Sequence, residues 1–393
     1  MFLRIKDNYM EIYLDHAATT WAYPEVADKV KEVMCIEFGN PSSMHNKGVE
    51  AERIVKESAK KIASILKASE KEIYFTSGGT ESNNWALIGA AEAMKRKGKR
   101  IITSKIEHAS VASPLKHLED LGYEIVTIGT DKDGYIKKDD LEAAMNEETI
   151  LVSVMMVNNE IGTIQPVKDI SDIIKSKNKN TIFHVDAIQA FGKLKIIPKQ
   201  MGIDMLSVSG HKIHGPKGTG FLYVSDKVRI LPLIYGGGQQ GGMRSGTDNV
   251  PGIAGLAMAA EKMYDNLAEN TESMRSVKEY FIEGLKDIDR AVINGSVSEN
   301  TAPHILNVSF VGIRSEVMLH TLEDRGIYVS SGSACSSHKR STSATLSAIG
   351  CDNSRIESSI RFSFCETTTK EEIDTVLKTL KETVPMLARY TRH

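Results

Sequence analysis

The chain has 393 residues, 41% of them apolar and 25% charged, a composition typical of globular proteins and long enough for two or three domains at ~100–200 residues each. A formal net charge of −2 excludes a global attraction to nucleic acid or to a membrane surface. The four cysteines, Cys35, Cys335, Cys351 and Cys365, form no CxxC pair, which excludes a zinc ribbon or a thioredoxin-like motif and suggests free thiols in a reducing compartment.

The first ten residues, Met1 to Met10, mix Arg4, Lys6 and Asp7 with apolar side chains and contain no apolar core for a leader peptide. No later segment approaches the roughly 18 apolar residues of a membrane span. A soluble, cytoplasmic protein is therefore expected. From about residue 50 to 225, short β-branched runs alternate with helical patterns. The runs 72–76, 100–104, 123–128, 149–157, 181–186, 204–209 and 220–225 read as strands. Between several of them, apolar residues recur at i, i+3 and i+4, as over 84–97, 110–121 and 167–175. Such alternation predicts an α/β fold, a mostly parallel sheet between layers of helices. The near-continuous apolar run TILVSVMMV (149–157) suits a strand buried on both faces.

YGGGQQGGMRSGTDN (235–249) is too rich in glycine for the interior of an element and reads as a loop. One long helix is expected from Ile253 through Ala260 and Met263 towards Leu285. Beyond it, strand patterns at 304–310 and 359–364 and helical patterns at 315–325 and 370–389 predict a smaller α+β lobe. The expected division is a large domain over 21–258 and a small domain from 1–20 and 259–393.

Several segments carry chemistry. Lys212, in SGHKIHGPKG, follows the run DMLSVS, and open α/β sheets place ligands beyond the carboxyl ends of their strands. A lysine amine there can capture an aldehyde cofactor, although a solvated loop lysine has the same local look. His211 and His214 flank it, but the segment lacks the glutamate and helical spacing of HExxH, so no metal site is expected. Asp186, in HVDAIQA, also ends an apolar run. It can hold a protonated ring nitrogen or simply cap a helix. In TSGGTESNN, the glycines before Thr80 let backbone N–H groups approach a phosphate, with a plain N-cap by Ser77 or Thr80 as the bland alternative. His108, in EHASV, can stack on a flat ring or handle a proton.

Cys335 lies in VSSGSACSS, a run of small residues that suits an accessible thiol. Lys339 and Arg340 follow closely enough to favour its thiolate. Arg361 stands among apolar strand residues and calls for an anionic partner, either a substrate carboxylate or a structural Asp or Glu.

Taken in order, YLDHAATT (13–20), FGNPSS (38–43), TSGGTESNN, EHASV, VNNEIGTIQP (157–166), HVDAIQA, SGHKIHGPKG, GGGQQGGMRSGT (236–247), SSGSACSS (330–337) and SIRFS resemble the NifS/IscS-type cysteine desulfurases. These are fold-type-I pyridoxal-phosphate enzymes, and the matching segments span residues 11–390. The resemblance implies conversion of L-cysteine to L-alanine, with the sulfur passing to Cys335 as a persulfide. It implies that Lys212 carries the pyridoxal phosphate and moves a proton, that His108 stacks on the ring, that Asp186 pairs with the ring nitrogen and that Gln189 contacts the ring hydroxyl. Gly79, Thr80, Ser209 and His211 would bind the phosphate, Asn159 would line the site and Arg361 would grip the substrate carboxylate. Thr247 would reach the cofactor phosphate of a second subunit, which implies a homodimer. A sulfur-acceptor protein, an iron–sulfur scaffold or a tRNA-thiolation protein, is the implied partner.

Three features depart from the common family pattern. About nine residues precede its usual start, which makes Met10 an alternative initiator. HKRS follows Cys335 where many relatives carry an acidic, proline-containing turn, which points to a different acceptor. Gly79 replaces a frequent alanine, an exchange expected to be neutral. The rival readings are a selenocysteine lyase with the same cofactor site, a class V aminotransferase, which gives Cys335 no purpose, and a non-catalytic sulfur-assembly scaffold, which would have no use for Lys212, Asp186 and His108.

Overall fold

The computed structural model describes residues 5–6, 9–331 and 343–389; Cys335, Lys339 and Arg340 lie outside the described residues. The first half of the chain runs β1 (Ile5–Lys6), β2 (Tyr9–Met10), β3 (Ile12–Tyr13), α1 (Pro24–Cys35), α2 (Asn46–Leu66), β4 (Ile73–Thr76), α3 (Gly79–Met94), β5 (Arg100–Ser104), α4 (Ala109–Asp120), β6 (Glu124–Ile128), α5 (Lys138–Ala144), β7 (Thr149–Met155), α6 (Val167–Lys177) and β8 (Ile182–Asp186). It continues through α7 (Pro198–Met201), β9 (Met205–Ser209), β10 (Gly220–Val224), α8 (Val250–Asp265), α9 (Leu267–Leu285), β11 (Ala291–Asn294), β12 (Ile305–Phe310), α10 (Ser315–Glu323), β13 (Ile327–Tyr328) and β14 (Ser330–Ser331). It closes with α11 (Ala344–Ala348), α12 (Asn353–Glu357), β15 (Ser359–Ser363) and α13 (Lys370–Ala388).

Seven strands form the main sheet in the order β4-β10-β9-β8-β7-β5-β6. Only β10 runs against its neighbours; the other pairings are parallel. The central strands β7, β8, β9 and β10 are buried at every residue, in keeping with their mostly apolar composition and with helices covering both faces. Phe183 and Phe221, both fully buried, each contribute roughly 1.5–3 kcal/mol of burial. A second sheet, β11-β12-β15-β14, is antiparallel, and its core includes Ile12 and Leu14 from the start of the chain. Asp15 bridges to Ser363, which ties the segment before the main sheet to the strand that carries Arg361.

The single helix expected over 253–285 is two helices. Asn266, at φ −120 and ψ 27, ends α8 and begins α9. The apolar residues of α8, among them Ala260 and Met263, belong to the main core, whereas Phe281 and Leu285 of α9 belong to the core of the second sheet. One straight helix cannot present its apolar stripe to two cores on different sides. The helix expected from residue 84 begins earlier, at Gly79, because Gly78 takes the N-cap position at φ +145, a conformation that needs glycine.

Candidate active site

Four crossovers deliver chemistry to one edge of the main sheet. Beyond β4 comes the Gly78–Gly79 turn, beyond β5 His108, beyond β7 Asn158 and Asn159, and beyond β9 Lys212, while Asp186 is the last residue of β8. Parallel strands place all these carboxyl ends together.

The Lys212 amine donates to the carbonyls of Ala17 and Ala18, at 2.6 and 2.7 Å. Gln189 donates to the same Ala17 oxygen, and its own amide oxygen faces His304 Nε2 at 3.3 Å. The ammonium charge of Lys212 acts on both Asp186 and Asp15. The amine thus lies within electrostatic reach of the buried carboxylate of the main sheet and of Asp15, the partner of Arg361.

Asp186 is 4% exposed and accepts hydrogen bonds from Asn83 Nδ2 at 2.7 Å and the Ile188 amide at 3.0 Å. Both donors are neutral, so burial outweighs them and raises the carboxyl above its usual range. Asn83 Nδ2 also donates to Ser110 Oγ at 2.9 Å, and Ser110 Oγ meets His108 Nδ1 at 2.8 Å. The Ser110 amide donates to the same Nδ1, so in the neutral ring the proton sits on Nε2. A relay of hydrogen bonds therefore couples the orientation of His108 to Asp186. Asn83 and Ser110 stand inside the segments the sequence singled out, but their roles arise only where α3 and α4 meet β8.

The start of α3 suits an anion. Among the described residues, no side chain caps this helix, so the bland alternative of a plain N-cap by Ser77 or Thr80 does not hold. Its first N–H groups and the positive end of its dipole face the turn. Ser209 adjoins it: a Cβ built on Gly78 would lie 3.7 Å from Ser209 Oγ. An added Cβ on Gly79 would lie 2.2 Å from Cδ1 of the half-buried Ile188, the far end of a flexible side chain, so alanine fits here once that side chain turns aside. Thr80 is exposed. His211 Nδ1 meets Thr19 Oγ1 at 3.2 Å, and burial lowers its pKa to about 4. Thr247 is exposed, in the loop whose Arg244 pairs with Glu81 in the first turn of α3.

Arg361 has partners within the chain. Its guanidinium donates to Asp15 Oδ1 and to the Asn159 carbonyl, both at 2.9 Å, while its buried Nε finds no partner among the described residues. The structural acid left open by the sequence is therefore Asp15, from YLDHAATT. Glu160 accepts from Ser343, and Asn158 donates to Thr345, 3.3 Å away. These contacts hold one end of the stretch that contains Cys335, and the pairing of Ser330 with Arg361 holds the other. Glu107 is a further acid that the sequence reading passed over. Its Oε1 accepts from Ser104 and the Met155 amide, its Oε2 is buried without a partner, and desolvation pushes its pKa up to about 8.

The residues present fit pyridoxal phosphate. The helix start with its glycines and Ser209 suits the phosphate, the carboxylate of Asp186, hydrogen-bonded only by neutral donors, suits a protonated pyridine nitrogen, and the amine of Lys212 suits the aldehyde. Comparison with known proteins gives the family. The profile of the aminotransferase class-V family matches residues 12–376. A cysteine desulfurase IscS of Methanosarcina thermophila is 43% identical over 376 residues, covering 96% of this chain and 92% of the relative. Among solved structures, a NifS-like protein superposes with a TM-score of 0.91 at 39% identity, over 96% of this chain and all of the other. A structure of SspA in complex with cysteine does so with a TM-score of 0.81 at 33% identity, over 91% of this chain and all of the other.

Proposed function

The chain belongs to the aminotransferase class-V family and within it to the IscS/NifS cysteine desulfurases, and from that premise we propose which residues carry the reaction. L-Cysteine is the substrate, and pyridoxal phosphate is the cofactor. Gly79, Thr80, Ser209 and His211 hold its phosphate, with Thr247 of a second copy. Asp186 pairs with its ring nitrogen, His108 stacks on the ring and Gln189 meets the ring hydroxyl. When bound, the cofactor supplies an aldehyde that captures the substrate amine and a ring that accepts electron density from Cα.

Arg361 and Asn159 orient the substrate carboxylate, which competes with Asp15 for the guanidinium. Lys212 takes the Cα proton and later returns a proton to the product carbon. The Ala17 and Ala18 carbonyls aim its amine. The thiolate of Cys335 attacks the substrate sulfur: an S–S bond forms on Cys335, the C–S bond breaks, its electron pair stays with carbon, and alanine leaves after protonation. The persulfide then passes to an acceptor protein of iron–sulfur assembly or tRNA thiolation.

The observation that carries this reading is the meeting of Lys212 and Asp186 at one sheet edge, beside a helix start with no side-chain cap. Cys335→Ala is expected to retain the visible absorbance of bound pyridoxal phosphate and to lose sulfide release from cysteine, whereas Lys212→Ala loses turnover altogether. Retained sulfide release in the first variant, or turnover in the second, contradicts the assignment.

A further inference from the structure

Behind the Lys212 loop, three potential ligands from opposite ends of the chain converge. His214 follows Lys212 by two positions, and Cys365 and Glu366 follow β15. His214 Nε2, Cys365 Sγ and a Glu366 carboxylate oxygen all lie within 4.8 Å of one another. His214 is 1% exposed and Cys365 3%. Read locally, His214 has no ligating neighbour; the fold brings it two.

The geometry of His214 is that of a metal ligand. It holds a left-handed backbone at φ +60, uncommon for a residue with a side chain. Its Nδ1 lies 2.9 Å from the Trp21 carbonyl and must donate to it, which in the neutral ring leaves a lone pair on Nε2. That nitrogen faces Glu366 Oε2 at 3.5 Å, longer than an ordinary hydrogen bond, and among the described residues the buried Oε2 has no partner other than this imidazole. Two acceptors face one another and require either a proton or a cation between them. Tyr23 stacks on the His214 ring at 4.4 Å and donates to the other carboxylate oxygen, Oε1, at 2.5 Å. This orients Oε2 towards the imidazole, as partners behind metal ligands do.

We propose that His214, Cys365 and Glu366 form a binding site for one zinc ion, with a water completing a tetrahedron. A thiolate, imidazole and carboxylate set suits zinc and suits magnesium or calcium poorly. Coordination releases the thiol proton of Cys365 to solvent. The two anionic ligands balance the ion, and the nearby Lys193 stays engaged with the Lys212 carbonyl. The ion has a structural role: it joins the loop that carries Lys212 to the strand that carries Arg361.

The test uses pyridoxal-loaded protein carrying Cys335→Ala and Cys35→Ser, which removes Cys335 and the exposed free thiol of Cys35, equilibrated with zinc chloride and passed over a desalting column. Elemental analysis is expected to find one zinc per chain, and X-ray absorption one sulfur neighbour at about 2.3 Å. Cys365→Ser and Glu366→Gln, both close in shape to the originals, should each weaken zinc affinity by more than the roughly 100-fold that loss of an outer-shell partner can cost. Absence of retained zinc, or zinc unaffected by both substitutions, overturns the proposal and leaves an imidazolium–carboxylate pair. Neither result bears on the roles of Lys212 and Cys335.

Discussion

Glu107 and Arg361 show how the site strains ordinary side-chain chemistry. Glu107 holds a proton in the folded protein up to about pH 8, whereas in the unfolded chain it loses that proton near the usual carboxyl value of about 4.3. The folded state therefore binds more protons between those limits, and stability falls as pH rises through them. Glu107→Gln keeps the acceptor that Ser104 and Met155 use and removes the titration. Its melting temperature should exceed that of the parent at pH 8 and match it near pH 4.5; an equal offset at both pH values refutes the titration argument. For Arg361, loss of a charge-assisted bond worth roughly 1.5–3 kcal/mol should raise KM for cysteine about 10- to 100-fold in Arg361→Ala, with a smaller change in kcat. An unchanged KM would mean that the guanidinium serves only Asp15.

At the scale of elements, the β4–α3 junction is the most constrained. Gly220 of β10 presses on Gly78, where an added Cβ would lie 2.7 Å from the Gly78 Cα. Gln240, from the glycine-rich loop, bonds both the N–H and the carbonyl of Phe75, covering the outer edge of the edge strand β4. Within this junction Gly79 and Ile188 share one volume. Gly79→Ala should destabilise by no more than about 1 kcal/mol, the low end for overpacking, because the tip of the half-buried Ile188 can turn aside. In an Ile188→Ala background the same change should cost only a few tenths, because the clash is gone. Urea unfolding of the two single variants and the double variant measures this coupling, and additive losses would contradict it.

At the scale of the whole molecule, one stretch of chain leaves several large apolar side chains exposed. Met34, Ile36, Phe38, Met44 and Val49, from the end of α1 to the start of α2, are each more than half exposed. A cluster of that kind marks an interface. A second copy of the chain is the proposed occupant, in keeping with the role suggested for the exposed Thr247 at its neighbour's phosphate. Phe38→Asp should halve the mass seen by sedimentation and weaken cofactor retention. A wild-type chain that sediments as a monomer would contradict both. Among the described residues, no helix is long and apolar enough to cross a membrane.

Much of the fold could be read from the residues, because hydrophobic periodicity is a local property. The strands of the main sheet, the loops after them and the positions of Lys212, Asp186 and His108 all follow from runs of apolar residues and where those runs stop. Pairing across the chain is not local. The partners Asp15 for Arg361, Asn83 and Ser110 between Asp186 and His108, and Cys365 and Glu366 beside His214 exist only because crossovers and the second sheet bring distant segments to one edge. The break at Asn266 has the same cause: it depends on which core each half of the helical stretch packs against. The residue types that do the chemistry are written in the sequence, while their partners, protonation and fit at Gly79 were decided by tertiary packing, since burial and neighbouring charge are properties of the folded chain.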